Sequence, residues 1–367
     1  MREEAAALLD WYDRERRILP WREDPAPYHV WISEIMLQQT RVEAVRGYYS
    51  RFLEELPDVY ALAEADEERV LKLWEGLGYY SRARNLKKCA EILVEQYGGV
   101  FPGTKEALLA LPGIGDYTAS AIASIAFGEA EPAVDGNLCR IYARRTAFEG
   151  DVKDPKNRKT VTDWYRERID QKRPGDFNQA LMDLGATICL PGANPSCTDC
   201  PWEAVCEAKA RGEVSNYPVR AAKKEKKEEQ WTVFLFAGER EKEGGRGKET
   251  FCLLKKRPAK GLLAGLYEFP NVPGKLEPAD AAAQAADLLA GTGLVFAGLT
   301  ELGDWDHVFT HRIWRMRGYL VETEKNKPAG AGSLFVEAGP ADLRERYSVP
   351  SAFGFMLDAF EREALRR

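Results

Sequence analysis

A single acid interrupts the apolar stretch Val30-Trp-Ile-Ser-Glu-Ile-Met-Leu-Gln-Gln-Thr40, where Glu34 is surrounded by Trp31, Ile32, Ile35, Met36 and Leu37. Burial disfavours the charged form of a carboxyl and raises its pKa, so such a group can hold a proton near neutral pH and pass it to a leaving group. An exposed Glu on the polar face of an amphipathic helix is the plainer alternative, and Gln38, Gln39 and Arg41 directly after it argue for a working surface. A second acid, Asp135, lies in Pro132-Ala-Val-Asp-Gly-Asn-Leu-Cys-Arg-Ile141, just ahead of a helical pattern. Its structural role is that of an N-cap. A chemical role needs a neighbour, and one lies twenty residues earlier, at Gly115.

That neighbour is Leu108-Leu-Ala-Leu-Pro-Gly-Ile-Gly-Asp-Tyr-Thr-Ala119, two helical patterns joined through Pro112, Gly113, Ile114 and Gly115. Two glycines allow a tight turn that aims successive N–H groups outward at a helix N-terminus, and such a hairpin binds phosphate without reading sequence. A bare Gly-x-Gly between packed helices would carry little weight, but the full string is far more specific. A carboxylate at the mouth of a phosphate-gripping hairpin can stabilise positive charge that develops on the sugar held there.

The third group is Cys189-x7-Cys197-x2-Cys200-x5-Cys206. Four of the seven cysteines thus fall within eighteen positions, while Cys89, Cys139 and Cys252 are scattered singly. This is the pattern of a metal or cluster site with three buried thiols and not of a disulfide framework. Pro195, Pro201 and Gly192 fix the loop. Zinc is the generic occupant, although a four-cysteine zinc knot usually has two Cys-x2-Cys pairs and this chain has one.

The elements that must position these groups follow from apolar spacing. Helices are expected at 3–17, 28–40, 42–55, 58–64, 66–75, 80–97, 104–110, 116–126, 136–148, 155–169 and 176–187. Residues 213–230, with Asn216, Pro218 and the run KKEKKEE, lack an apolar stripe and form a connector. Beyond it come the β-branched and aromatic runs WTVFLFAG from 231, TFCLLKKR from 250, LVFAGLTEL from 294 and IWRMRGYLVE from 313, a charged glycine-rich hairpin at 239–249, and helices near 279–290 and 351–365. The expectation is a mainly α first domain over 1–212 and an α+β second domain over 231–367, since 367 residues exceed one comfortable core.

Hydrophobic residues make up 45% and charged residues 30% of the chain, which excludes wholesale disorder. No apolar run reaches the length of a membrane span, and the N-terminal residues show no secretion signal, so a cytoplasmic location is expected. The net charge of −6 does not favour a nucleic-acid partner. Local basic groups do occur, at Arg82, Arg84, Lys87 and Lys88, from Arg140 to Arg145 and from Lys153 to Lys159, each by itself an ordinary solvated helix face.

Together these features resemble the adenine DNA glycosylases of the MutY family, within the endonuclease III superfamily, over nearly the whole chain. The resemblance implies a helical bundle carrying a helix-hairpin-helix element and a [4Fe-4S] cluster on Cys189, Cys197, Cys200 and Cys206, followed by a Nudix-like domain. It puts the general acid, which protonates adenine N7, on Glu34, and the stabilising aspartate on Asp135. Gln39, Leu77 and Tyr79 match positions that enter the base stack, and Arg22 and Gln179 match the adenine pocket. Gly113 and Gly115 belong to the DNA-holding hairpin. Superfamily members that also cut the backbone carry a lysine where this chain has Tyr117, so the resemblance implies a monofunctional glycosylase; the expected role of Tyr117 is to orient Asp135 or Glu34.

His307-Val-Phe-Thr-His311 resembles the family's loop for 8-oxoguanine opposite the adenine, with Phe309, Thr310 and His311 as its members and Thr310 where serine is usual. Either hydroxyl can accept a hydrogen bond from the N7–H found only on the oxidised base. Two histidines in a strand-turn-strand are otherwise common packing residues. Gly261-Leu-Leu-Ala-Gly-Leu-Tyr-Glu-Phe-Pro270 also matches the Nudix-like domain, with Tyr267 where Trp is common, but no Nudix catalytic box follows. The seven residues between the first two cysteines, against six in the family, form an insertion in a Pro/Gly loop, where it is tolerated. The expected partner is a DNA duplex with adenine opposite 8-oxoguanine or guanine, bound by a monomer. The alternatives are a thymine or uracil mismatch glycosylase, which normally lacks the second domain, and a catalytically silent damage-binding protein.

Overall fold

Proline and short polar side chains start the helices that frame the site. Pro27 and Pro174 occupy first-turn positions of Pro27–Leu37 and Pro174–Thr187, where a missing N–H costs nothing. Asp135 and Asp154 accept backbone N–H bonds at the starts of Gly136–Arg145 and Pro155–Arg166. Each such cap contributes about 1 kcal/mol. Gly128 ends Asp116–Phe127 in the left-handed conformation that closes a helix without a Cβ clash.

A computed structural model describes residues 2–219, 225–241, 247–325 and 334–366. Backbone contacts divide the chain into two units, Met1–Ala65 with Asn85–Lys223, and Asp66–Arg84 with Lys224–Arg367. In the first unit, Arg2–Glu15 packs on Pro174–Thr187, which also packs on Asp116–Phe127 and Gly136–Arg145. Arg2–Glu15, Gly136–Arg145, Pro155–Arg166 and Pro174–Thr187 share a core that contains Leu8, Tyr12, Leu138, Tyr165, Phe177, Leu181 and Leu184. Pro27–Leu37 packs on Asp116–Phe127, so the helix carrying Glu34 lies against the helix that follows the hairpin. No helix of the described residues is long and apolar enough to cross a membrane.

The second unit is a mixed sheet with helices on both faces. Its strands are β1 (Lys227–Glu241), β2 (Lys248–Lys256), β3 (Tyr267–Glu268), β4 (Asn271–Pro273), β5 (Leu294–Val308), β6 (Arg312–Lys325) and β7 (Phe335–Ala338). The main order is β3-β2-β1-β6-β5, with β4 on β1 and β7 on β2. Strand β1 runs parallel to β6 and antiparallel to β2. Alternation along the strands makes two cores. Phe234, Phe236, Phe251 and Tyr319 meet Pro278–Leu288 on one face. Val233, Leu235, Leu254 and Met316 meet Met356 and Phe360 of Gly354–Arg366 on the other. Strands β5 and β6 form a long hairpin that ends at residues 309–311, where Phe309 N–H donates to Arg312 O at 2.9 Å.

Several boundaries differ from expectation. Helix 28–40 stops at Leu37, and Gln39 adopts a left-handed φ of 60°. Helix 104–110 shrinks to Lys105–Leu108, and 136–148 ends at Arg145. The connector expected at 213–230 holds a short turn at Val214–Asn216, and β1 already begins at Lys227 because residues 227–230 pair with β6. Residues 220–224 of that connector and 242–246 of the expected hairpin lie outside the described residues. Residues 66–84, placed by their helical spacing in the first domain, group with the sheet. Glu68 pairs with Lys256 at 2.8 Å and accepts the Tyr267 hydroxyl at 3.1 Å, long-range ties that leave no periodic signal in sequence.

Candidate active site

Glu34 comes from the middle of a helix in which every residue from Val30 to Met36 is buried, and its own side chain is only 5% exposed. Its carboxyl faces a cavity of about 180 Å³ lined by Arg22, Glu34, Tyr117, Asp135, Asn137 and Gln179 among others. Burial pushes the Glu34 pKa up to about 7; the Tyr117 hydroxyl lowers it somewhat and the Asp135 charge raises it. That hydroxyl donates to Glu34 Oε2 at 2.6 Å. The Tyr117 hydroxyl is itself buried and held well above its ordinary pKa, chiefly by that burial, so it stays a neutral donor.

Asp135 is the N-cap of Gly136–Arg145: Oδ1 accepts from Leu138 N–H at 2.8 Å and Oδ2 from Asn137 Nδ2 at 2.9 Å. Its pKa is raised by burial, opposed by these donors and by the Arg140 and Arg158 cations. The N-cap carboxylate is therefore also one that lines the cavity. Asn137 in turn accepts Arg140 Nη2 at 2.9 Å, and Arg140 Nε donates to Cys189 O at 2.8 Å. A continuous hydrogen-bonded chain thus runs from Asp135 to the start of the cysteine loop.

Arg22 makes a two-pronged pair with Asp183, Nη1 to Oδ2 at 2.7 Å and Nη2 to Oδ1 at 2.8 Å. Arg17 Nε joins the same carboxylate at 2.7 Å. Asp183 is fully buried, and this ion cluster holds Arg22 at the cavity wall. Asp183 and Arg17 do not stand out in sequence, and Asn137 carries one signal, its place two residues after Asp135. The hairpin has the expected turn. Gly113 has φ +78°, and a Cβ there would come within 2.6 Å of Asn85 Cβ, so this glycine is required. Gly115 has an ordinary extended backbone and open space beside it; it leaves the N-terminus of Asp116–Phe127 uncovered.

Cys189, Cys197, Cys200 and Cys206 line one small cavity with Arg144 and Ile188. Among the described residues, no three His, Cys, Asp or Glu side chains stand close enough to hold a single metal ion. Arg144, 2% exposed, donates to Leu190 O and Gly192 O at 2.7 Å each and to Val214 O at 3.1 Å, and so ties the start of the loop to the segment that follows it.

In the second unit, the hairpin tip exposes Thr310 and His311, while His307 and Phe309 are half-buried. Phe309 packs edge-on against Trp314 and His307. Burial lowers the His307 pKa, which favours the neutral ring. The Thr310 hydroxyl lies 2.7 Å from the Tyr79 hydroxyl. Tyr79 and Gln39 are exposed, but Leu77, expected to enter a base stack, is buried. The cavity therefore brings together Glu34, Tyr117, Asp135, Arg22 and Gln179, and leaves out Gln39.

The chain is a base excision repair protein with a Nudix-like second domain. Residues 32–167 match the HhH-GPD superfamily base excision DNA repair protein, and residues 246–359 match the NUDIX domain. The chain belongs to the adenine DNA glycosylase family. It is 38% identical to adenine DNA glycosylase of Homo sapiens over 88% of this chain and 67% of the human protein. It is 36% identical to that of Buchnera aphidicola subsp. Acyrthosiphon pisum, over 71% of this chain and 76% of the relative. A solved thermostable thymine-DNA glycosylase, 29% identical, superposes with a TM-score of 0.52 over 56% of this chain and 95% of its own.

Proposed function

We propose that this chain removes adenine mispaired with 8-oxoguanine or guanine in duplex DNA by hydrolysing the N-glycosidic bond, leaving an abasic site. The observation that carries this reading is the buried Glu34, raised to about 7 and set in one cavity with Asp135. The two carboxyls differ in their partners: Glu34 accepts one hydroxyl, whereas Asp135 accepts a backbone N–H and a side-chain amide. Glu34 holds its proton near neutral pH and delivers it to adenine N7, which contributes roughly 10² to 10⁴ in rate. Asp135, held by the Leu138 N–H and the Asn137 amide, is the anion beneath the oxocarbenium-like sugar. The Tyr117 hydroxyl orients Glu34 and, lacking an amine, cannot form a Schiff base with the sugar.

Recognition is divided. The hairpin at Gly113 and Gly115 grips phosphate, Gln39 and Tyr79 open the stack at a cost of a few kcal/mol, and Arg22 and Gln179 line the adenine pocket. Phe309, Thr310 and His311 meet the opposite base, and we read the protein as a monomer on its duplex. The four thiols line one common cavity, and with a single Cys-x2-Cys pair among them they suit a [4Fe-4S] cluster better than one zinc ion. Such a cluster would cross-link the loop that Arg144 already holds.

The likeness of the helical part to a thymine-DNA glycosylase supports one second reading, a thymine mismatch enzyme. Incubation with duplexes carrying adenine opposite 8-oxoguanine, adenine opposite guanine or thymine opposite guanine separates the two. The expected result is free adenine from the first two, an abasic strand that breaks only on alkali treatment, and little borohydride-trapped adduct. Release of thymine alone, or trapping as efficient as that of a true lyase, would refute the assignment.

A further inference from the structure

Tyr79 belongs to a turn of unusual conformation. Gly76, Gly78 and Tyr79 have φ of 95°, 71° and 48°. The left-handed backbone costs an L-residue on the order of 1 to 2 kcal/mol, so the turn must be held by its surroundings. Its shape is held from within residues 74–82. Arg82 Nη2 donates to Leu77 O at 3.1 Å and Gly78 O at 3.0 Å, Trp74 Nε1 donates to Gly78 O at 3.2 Å, and Gly76 N–H donates to the Tyr80 hydroxyl at 3.1 Å. The Arg82 guanidinium also lies over the rings of Trp74 and Tyr79.

Those contacts set the shape of the turn but not its place beside the β5–β6 hairpin. Glu68 and Arg84 tie the two ends of residues 66–84 to the sheet unit, and nearest the turn the placement comes from two side chains just ahead of it. Lys72 Nζ donates to Leu343 O at 2.7 Å, and Glu75 Oε1 accepts Val349 N–H at 2.8 Å. The other Glu75 oxygen is paired with Lys72, so the two side chains form one clasp on Leu343–Val349. The clasped stretch is tied to the sheet, since Tyr267 N–H of β3 donates to Ser348 O at 3.0 Å. Glu75 and Lys72 are both largely sheltered, which strengthens a charge-assisted bond relative to one in open water.

We propose that Glu75 is a positioning residue that, with Lys72, fixes the Tyr79 turn against Thr310, so that opening the stack and reading the opposite base are done by one rigid element. The proposal rests on the reading of Thr310 as a contact to the opposite base. Losing the clasp lets Tyr79 leave its 2.7 Å contact with Thr310, which weakens discrimination between opposite bases while the cavity around Glu34 stays intact.

The test uses the full chain with Glu75→Ala and Glu75→Gln, since Gln retains the oxygen that accepts Val349 N–H. Single-turnover adenine release is measured opposite 8-oxoguanine and opposite guanine, at limiting and at saturating enzyme, together with backbone amide exchange. Glu75→Ala is expected to speed exchange at Val349 and residues 76–80 and to cut the preference for 8-oxoguanine by about 5- to 10-fold, the value of one lost hydrogen bond. The rate at saturating enzyme should stay within about 2-fold, and Glu75→Gln should recover most of the preference. Should Glu75→Ala not fold, Lys72→Met breaks the clasp from its other side and carries the same expectation. An unchanged preference in the clasp-breaking variant overturns the proposal, as does an equal fall in the saturated rate. A wild-type chain with no opposite-base preference would instead sink the Thr310 reading, and faster or unchanged exchange at residues 76–80 would then uphold or overturn the clasp by itself.

Discussion

The cavity of the first unit and the hairpin tip of the second handle polar groups in opposite ways. Glu34 and Asp183 are removed from water and tied to fixed partners, Glu34 by the half-buried Tyr117, while Thr310, His311 and Tyr79 are exposed. Proton transfer gains from desolvation, which moves a carboxyl from its ordinary 4.5 to about 7. Recognition of a base needs donors, acceptors and a ring that a ligand can reach. Chemistry and specificity should therefore be separable by mutation.

The largest effect that sharpens this contrast is expected from Glu34→Gln. Adenine release should drop by roughly 10² to 10⁴, with duplex affinity changed only a few-fold. Near-normal turnover would break the assignment. Asp135→Asn keeps a good N-cap residue, so the helix Gly136–Arg145 should persist while release slows by about 10² to 10³. Circular dichroism and single-turnover kinetics on one preparation check both halves of that statement. On the other side of the comparison, Thr310→Ala should reduce the preference for 8-oxoguanine over guanine by about 5- to 10-fold and leave release opposite guanine nearly unchanged. An equal slowing on both duplexes would show that the two regions are not independent.

Sequence alone exposed most of the first region and less of the second. Glu34 was legible because burying a lone acid in an apolar helix costs stability that packing does not return, and Asp135 because its capping position follows the hairpin by twenty residues. The Arg22–Asp183 pair was not, since 161 positions separate two residues that only the fold brings together. Gln39 was placed in a helix because its neighbours have helical spacing, yet the chain turns left-handed there. The attachment of residues 66–84 to the sheet unit depends on Glu68, Lys72 and Glu75, ordinary surface charges until their partners are seen. Leu77 looked like a base-stack residue by its motif and is buried in its turn.

The central claim is that a buried, protonated Glu34 drives base release, and the pH dependence of the single-turnover rate tests it most directly. Glu34 has a raised pKa, so its acid form is present below about 7 and is lost as pH rises through that value. The rate on adenine opposite 8-oxoguanine should hold level on the acid side and then fall by up to about tenfold per pH unit. A rate that stays flat from about pH 6 to about pH 9 would contradict the account.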